Sequence, residues 1–247
     1  MLTDYTDEES LMEIKFIAHS GFLVRLPSAD LLFDYFRGEL PEPEPGKPMF
    51  VFVSHAHADH FSKEIFSLAG KSSLVTFLLS DDIPWTEVPE ECERQAEFLG
   101  PDMELSFPFP NGGELTVRTY LSTDEGIAFL VDADGARIYH AGDLNDWVWA
   151  GEPEQSNRQM TGNYRHEIDK LRGLPVDCAF VPLDPRQEDD YARGLLYVLK
   201  VLAPKHVFPM HYWGQPEIID RFLREYPQYK DYVNYSEHFK EGSPYEI

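Results

Sequence analysis

Met49-Phe50-Val51-Phe52-Val53 runs directly into Ser54-His55-Ala56-His57-Ala58-Asp59-His60. Five apolar residues, two of them β-branched, predict a buried strand. Three imidazoles and one carboxylate then fall between positions 55 and 60. A strand end that turns into a loop is a firm base from which to aim several ligands at one point. Imidazole with carboxylate suits zinc, manganese and iron. While the backbone stays extended, His55, His57 and Asp59 point to one side, and His60 swings toward a second position as the chain turns. A polar loop with Asp59 capping a helix around residues 61–69 is the plainer alternative. The density of ligand-type side chains weighs against it.

The same character recurs along the chain. Upstream stand His19-Ser20-Gly21-Phe22-Leu23-Val24 and Leu31-Leu32-Phe33-Asp34; downstream, Ile138-Tyr139-His140-Ala141-Gly142-Asp143 and Phe208-Pro209-Met210-His211-Tyr212-Trp213. With His-x-His-x-Asp-His after a strand, this ordered set resembles the metallo-β-lactamase-fold hydrolases. Within them it looks most like the branch that includes L-ascorbate-6-phosphate lactonase. The resemblance covers nearly the whole chain. It implies a single domain over 1–247 and an α/β (α+β) fold, a four-layer αββα sandwich with paired metal pockets at its edge. By that resemblance His55 and His57 serve a first metal, Asp59, His60 and His211 serve a second, and Asp143 bridges them. The implied cofactor is one or two divalent ions, zinc foremost, with manganese or iron as alternatives.

One feature departs from the family pattern. A further histidine is expected between the main motif and Gly142-Asp143, but Thr119-Tyr120-Leu121-Ser122-Thr123-Asp124-Glu125-Gly126 contains none. Asp124 replaces it as a ligand, or the first pocket binds weakly, or water or substrate fills the gap. A plain turn carboxylate is an equal reading of Asp124. His19 is a candidate for contacting substrate or orienting a ligand, and Asp34 and Asp184 for receiving ligand imidazole N–H groups. His166, His206 and His238 lie outside the motifs and read as surface or packing residues.

Acidic residues outnumber basic ones, 44 against 21, for a net charge of −23. A nucleic-acid backbone or an anionic membrane is therefore disfavoured as the main partner. A small-molecule substrate is expected, with a homo-oligomer left open. Two cysteines, Cys92 and Cys178, make no disulfide framework. Cys178 reads as a small buried hydrophobe and Cys92 as incidental. The acidic N-terminal stretch lacks the apolar run of a secretory signal, so a cytoplasmic location is expected.

Short strands are predicted over 13–18, 22–26, 31–35, 75–79, 114–120, 126–131, 137–140, 177–183 and 205–210. Helices are predicted over 90–98, 164–171, 191–202 and 216–226, and a Trp-rich loop or lid over 146–163. The expected chemistry is attack of a metal-activated water on an ester, lactone or phosphodiester, with Asp59 and His19 assisting. Two rivals stand beside it. One is a non-catalytic metal-binding protein of the same fold. The other is a di-iron redox enzyme, disfavoured because flavodiiron proteins carry Glu where this chain has His57.

Overall fold

The structure, a computed structural model, describes residues 12–234 and 244–246. The N-terminal segment and His238 lie outside the described residues.

Strands β1 (Glu13–Ala18), β2 (Gly21–Arg25) and β3 (Asp30–Phe33) open the chain as an antiparallel meander. Strands β4 (Met49–Val53), β5 (Val75–Ser80) and β6 (Ala96–Leu99) then add in parallel. With β13 (Pro244–Glu246) on the outer side of β1, they make a seven-stranded sheet.

The second sheet begins with the antiparallel ribbon β7 (Glu104–Pro108), β8 (Glu114–Leu121), β9 (Ile127–Ala133) and β10 (Ala136–His140). Strands β11 (Cys178–Pro182) and β12 (His206–Met210) complete its six strands in parallel. Pro209 lies within β12, which is an edge strand and so tolerates a residue without an N–H.

Side-chain alternation along the first sheet builds two cores. Phe22, Val24, Leu31, Phe33, Phe50, Phe52 and Leu78 enter the core shared with the second sheet. Leu23, Leu32, Met49, Val51, Val53, Phe77 and Leu79 face the opposite way. Their outer face is covered by 3₁₀ segments, Lys63–Gly70 and Glu90–Gln95, which bring Ile65, Phe66, Leu68 and Cys92. In the other sheet the strands β9 to β12 are buried on both faces. Its outer side carries α1 (Glu154–Asp169), α2 (Arg193–Val201) and α3 (Glu217–Glu225) through Tyr164, Ile168, Leu195, Val198, Ile219 and Phe222. The αββα order expected from the sequence is present, with one outer layer made of 3₁₀ turns.

Several local expectations change. The helix expected over 90–98 is a 3₁₀ segment followed by β6, and the supposed lid over 146–163 already contains the first turns of α1. Cys92 is fully buried in the outer core rather than incidental. Cys178 is a buried core residue, as read. Among the described residues no helix is long and apolar enough to cross a membrane.

Candidate metal centre

The ligand-type residues converge where the two sheets meet. Ile127 N–H donates to the Ser54 carbonyl at 2.9 Å, and His211 N–H to the His19 carbonyl at 3.2 Å, so each sheet is pinned to the other beside the site. His55, His57, Asp59 and His60 follow β4. The turn closes through N–H groups of His60 and Phe61 onto the His57 carbonyl, each at 3.0 Å. Asp143 and His211 come from loops after β10 and β12.

Two clusters result: His55, His57 and Asp143 in one, and His19, Asp59, His60 and His211 in the other. Within each, one ligand atom per residue lies within 4.8 Å of the others. Asp143 spans both. Its Oδ2 is 3.6 Å from His55 Nε2, while its Oδ1 is 3.1 Å from His60 Nε2 and 3.4 Å from His211 Nε2. His55 Nε2 and His57 Nδ1 are 3.0 Å apart. His19 Nε2 is 3.3 Å from Asp59 Oδ2.

The outward ring nitrogens are tied down. Asp34 accepts from His60 Nδ1 at 2.8 Å and from Ser54 Oγ at 2.7 Å, and Ser54 Oγ in turn lies 3.0 Å from His55 Nδ1. Asp184 accepts from His211 Nδ1 at 3.0 Å and from Trp213 Nε1 at 3.1 Å. Both carboxylates thus do what their sequence positions suggested, leaving Nε2 of each ring for the interior. His140 does not enter the site: its Nε2 donates to the Ser20 carbonyl at 2.9 Å, and its ring stacks on Phe33.

The chemistry of the clusters fits divalent metal. His60 Nε2 and Asp143 Oδ1 are buried 3.1 Å apart and His19 Nε2 is buried 3.3 Å from Asp59, poorly satisfied donors and acceptors that a divalent cation would take up by binding the neutral rings and the carboxylates. Burial alone would raise the Asp143 carboxyl. The His60 and His211 imidazoles outweigh it and hold Asp143 well below the usual carboxylate range. Burial lowers His60, but Asp143 and Asp34 more than reverse this and push it up to about 10. Burial dominates at His55 and takes it down to about 4. The His19 imidazole 3.3 Å away holds Asp59 well below its ordinary value.

Asp124 is not brought into either cluster. It lines the neighbouring cavity, and its N–H donates to Ser122 Oγ at 3.2 Å, as a turn residue does. Its neighbour Glu125, which the sequence did not single out, stands 3.3 Å from the outer His57 Nε2 and orients that ring. Asp82 was equally unmarked; it accepts from the Ala56 N–H at 2.9 Å and steadies the motif loop. Arg186 is a third such residue, its only sequence signal being its place two positions after Asp184.

A cavity of about 360 Å³ opens over Asp143, with Asp59, His57 and His211 at its base. Trp147, Trp149, Met160, Trp213 and Arg186 form its walls, so the Trp-rich segment does face the site.

No family model matches the chain. A UPF0173 metal-dependent hydrolase of Desulforamulus reducens is 26% identical over 228 residues, covering 84% of this chain and 87% of that protein. Igni18, a metallo hydrolase from Ignicoccus hospitalis, superposes with a TM-score of 0.64 at 17% identity, over 96% of this chain and 99% of the other. YhfI, a metallo-β-lactamase fold protein from Bacillus subtilis, gives 0.59 at 14% identity, over 97% and 100% of the two chains. CmlA, a diiron β-hydroxylase from Streptomyces venezuelae, gives 0.59 at 13% identity, with 98% of this chain on 54% of that one. The chain has the metallo-β-lactamase fold and is similar in sequence to metal-dependent hydrolases.

Proposed function

We propose that this protein is a metal-dependent hydrolase acting on an ester, lactone or phosphodiester bond of a small polar metabolite. The observation that carries this is Asp143, a buried carboxylate facing both clusters from the base of a cavity. His55, His57 and Asp143 would hold one ion; Asp59, His60 and His211, with His19 as an added donor, would hold the other. Divalent cations in such a site supply Lewis acidity, lowering the pKa of water and polarising the oxygen of the bond to be cleaved. Zinc suits this nitrogen-rich set, with manganese or iron as alternatives.

The chain's own groups do the rest. Asp34 and Asp184 fix the rings of His60 and His211. Asp59 stays ionised beside His19 and lines the cavity, where it orients the incoming water. The indole walls would limit the bulk water around the reacting atoms.

Metal content per chain, measured by mass spectrometry on the wild type and a His60→Ala, Asp143→Ala double variant, tests the site. About two ions, lost in the variant, are expected of a dinuclear hydrolase. No metal after loading with zinc, manganese and iron would overturn the reading. The vacant histidine position near Asp124 favours one alternative, a metal-binding protein without turnover. Full metal occupancy without cleavage across ester, lactone and phosphodiester panels would establish it.

A further inference from the structure

Among the described residues that line the cavity, Arg186 is the only lysine or arginine. Three neighbours hold its guanidinium. The Asp184 carboxylate takes two parallel bonds, Nε to Oδ1 at 3.0 Å and Nη2 to Oδ2 at 2.6 Å. The Trp213 ring centre lies 4.3 Å from Cζ, and the Trp149 ring centre 5.8 Å. Aromatic faces at these distances attract a cation and fix its plane.

That support is more than Asp184 needs. Its carboxylate already accepts from His211 Nδ1, from Trp213 Nε1 and from the Arg186 backbone N–H at 2.8 Å. Meanwhile Nη1 has no hydrogen-bond partner among the described residues, and the side chain is 47% exposed. One edge of a braced guanidinium is therefore unpaired, on a residue that lines the cavity. In a chain of net charge −23, such an edge is a local exception to a field that repels anions.

We infer that Arg186 is a specificity-determining residue for a substrate that carries a carboxylate apart from the bond being cleaved. The planar N–H edge matches a planar carboxylate. Asp124 lines the cavity outside both clusters and disfavours the second charge of a phosphate monoester. Trp147, Trp149, Met160 and Trp213 would cover the apolar body between the carboxylate and the reacting bond. This inference rests on the hydrolase reading for its reaction, but not for its anion site.

The test compares three esters on zinc-loaded protein: neutral p-nitrophenyl butyrate, the half ester mono-p-nitrophenyl glutarate, and p-nitrophenyl 4-phosphonooxybutyrate. The glutarate half ester is expected to lead the neutral ester in kcat/KM by about tenfold or more, mainly through KM. Arg186→Gln should close that gap at wild-type zinc content, and Arg186→Lys should restore part of it. Equal wild-type rates, an unchanged ratio in Arg186→Gln, or a lead for the phosphate ester would overturn the inference. If no ester is cleaved, the lactone and phosphodiester panels decide the hydrolase reading, and calorimetric titration with glutarate decides the anion site separately. Binding weakened about tenfold in Arg186→Gln supports it; equal binding in both proteins overturns it.

Discussion

His19, Asp34, His211 and Trp213 all adopt positive φ, between 42° and 60°, a region that costs non-glycine residues roughly 1–3 kcal/mol each. Such strain persists only where surrounding contacts over-determine it, and here those contacts surround the two clusters. The protonation pattern has a consequence for metal uptake. His60, pushed up to about 10, carries a proton at neutral pH in the metal-free protein, and His211 is also raised. A metal takes the neutral ring, so it must displace that proton. Affinity should thus rise with pH until about pH 10, with about one proton or more released per chain near pH 7. Calorimetry in buffers of different ionisation enthalpy measures the release; none at neutral pH would sink this expectation. His55, taken down to about 4, should contribute nothing to it.

At the scale of elements, the loop–strand junctions decide whether the clusters form. Gly142 has φ 52°, and a Cβ there would stand 2.7 Å from Ser54 Cβ and 2.9 Å from the Ile127 carbonyl. Gly126, at φ 69°, would drive a Cβ into the Ser54 carbonyl and to 2.6 Å from His55 Cβ. Gly126→Ala should therefore destabilise the fold by about 1–3 kcal/mol and lower metal affinity by displacing His55. A wild-type denaturation midpoint would show that the junction yields freely. These junctions also mark what could be seen beforehand. Strands β1 to β5 were legible because alternating or fully apolar runs bounded by turns leave few other solutions. The first half of α1 was not, because residues 154–163 bury little and show no apolar stripe. β6 and β7 are short, half-exposed and embedded in acidic sequence, so nothing in their pattern separated them from loop. At the site, the gathering of His55, His57, Asp59, His60, Asp143 and His211 was expected from the resemblance of their motifs to a known family. Glu125 and Asp82 were not, since each acts through a partner distant in sequence, and Arg186 was not, since the rings that brace it, Trp149 and Trp213, are distant too.

Across the whole molecule, the proposed ligands are divided between the sheets. His19, His55, His57, Asp59 and His60 come from the first, Asp143 and His211 from the second. A cation that binds only the assembled site raises stability by about 2.7 kcal/mol at a hundredfold excess over its dissociation constant. Zinc should accordingly raise Tm in wild type and leave it unmoved in the His60→Ala, Asp143→Ala variant. Differential scanning calorimetry with and without a chelator reads the difference, and equal shifts in both proteins would refute it.

The turn at Pro101–Asp102 lies between the last strand of the parallel run and the first strand of the other sheet. Cutting the chain there would yield two polypeptides, each with an incomplete half of the coordination sphere. Mixed in solution, they should reassemble under the control of free metal concentration, making the centre a chemical clasp whose closure could be read as fragment complementation.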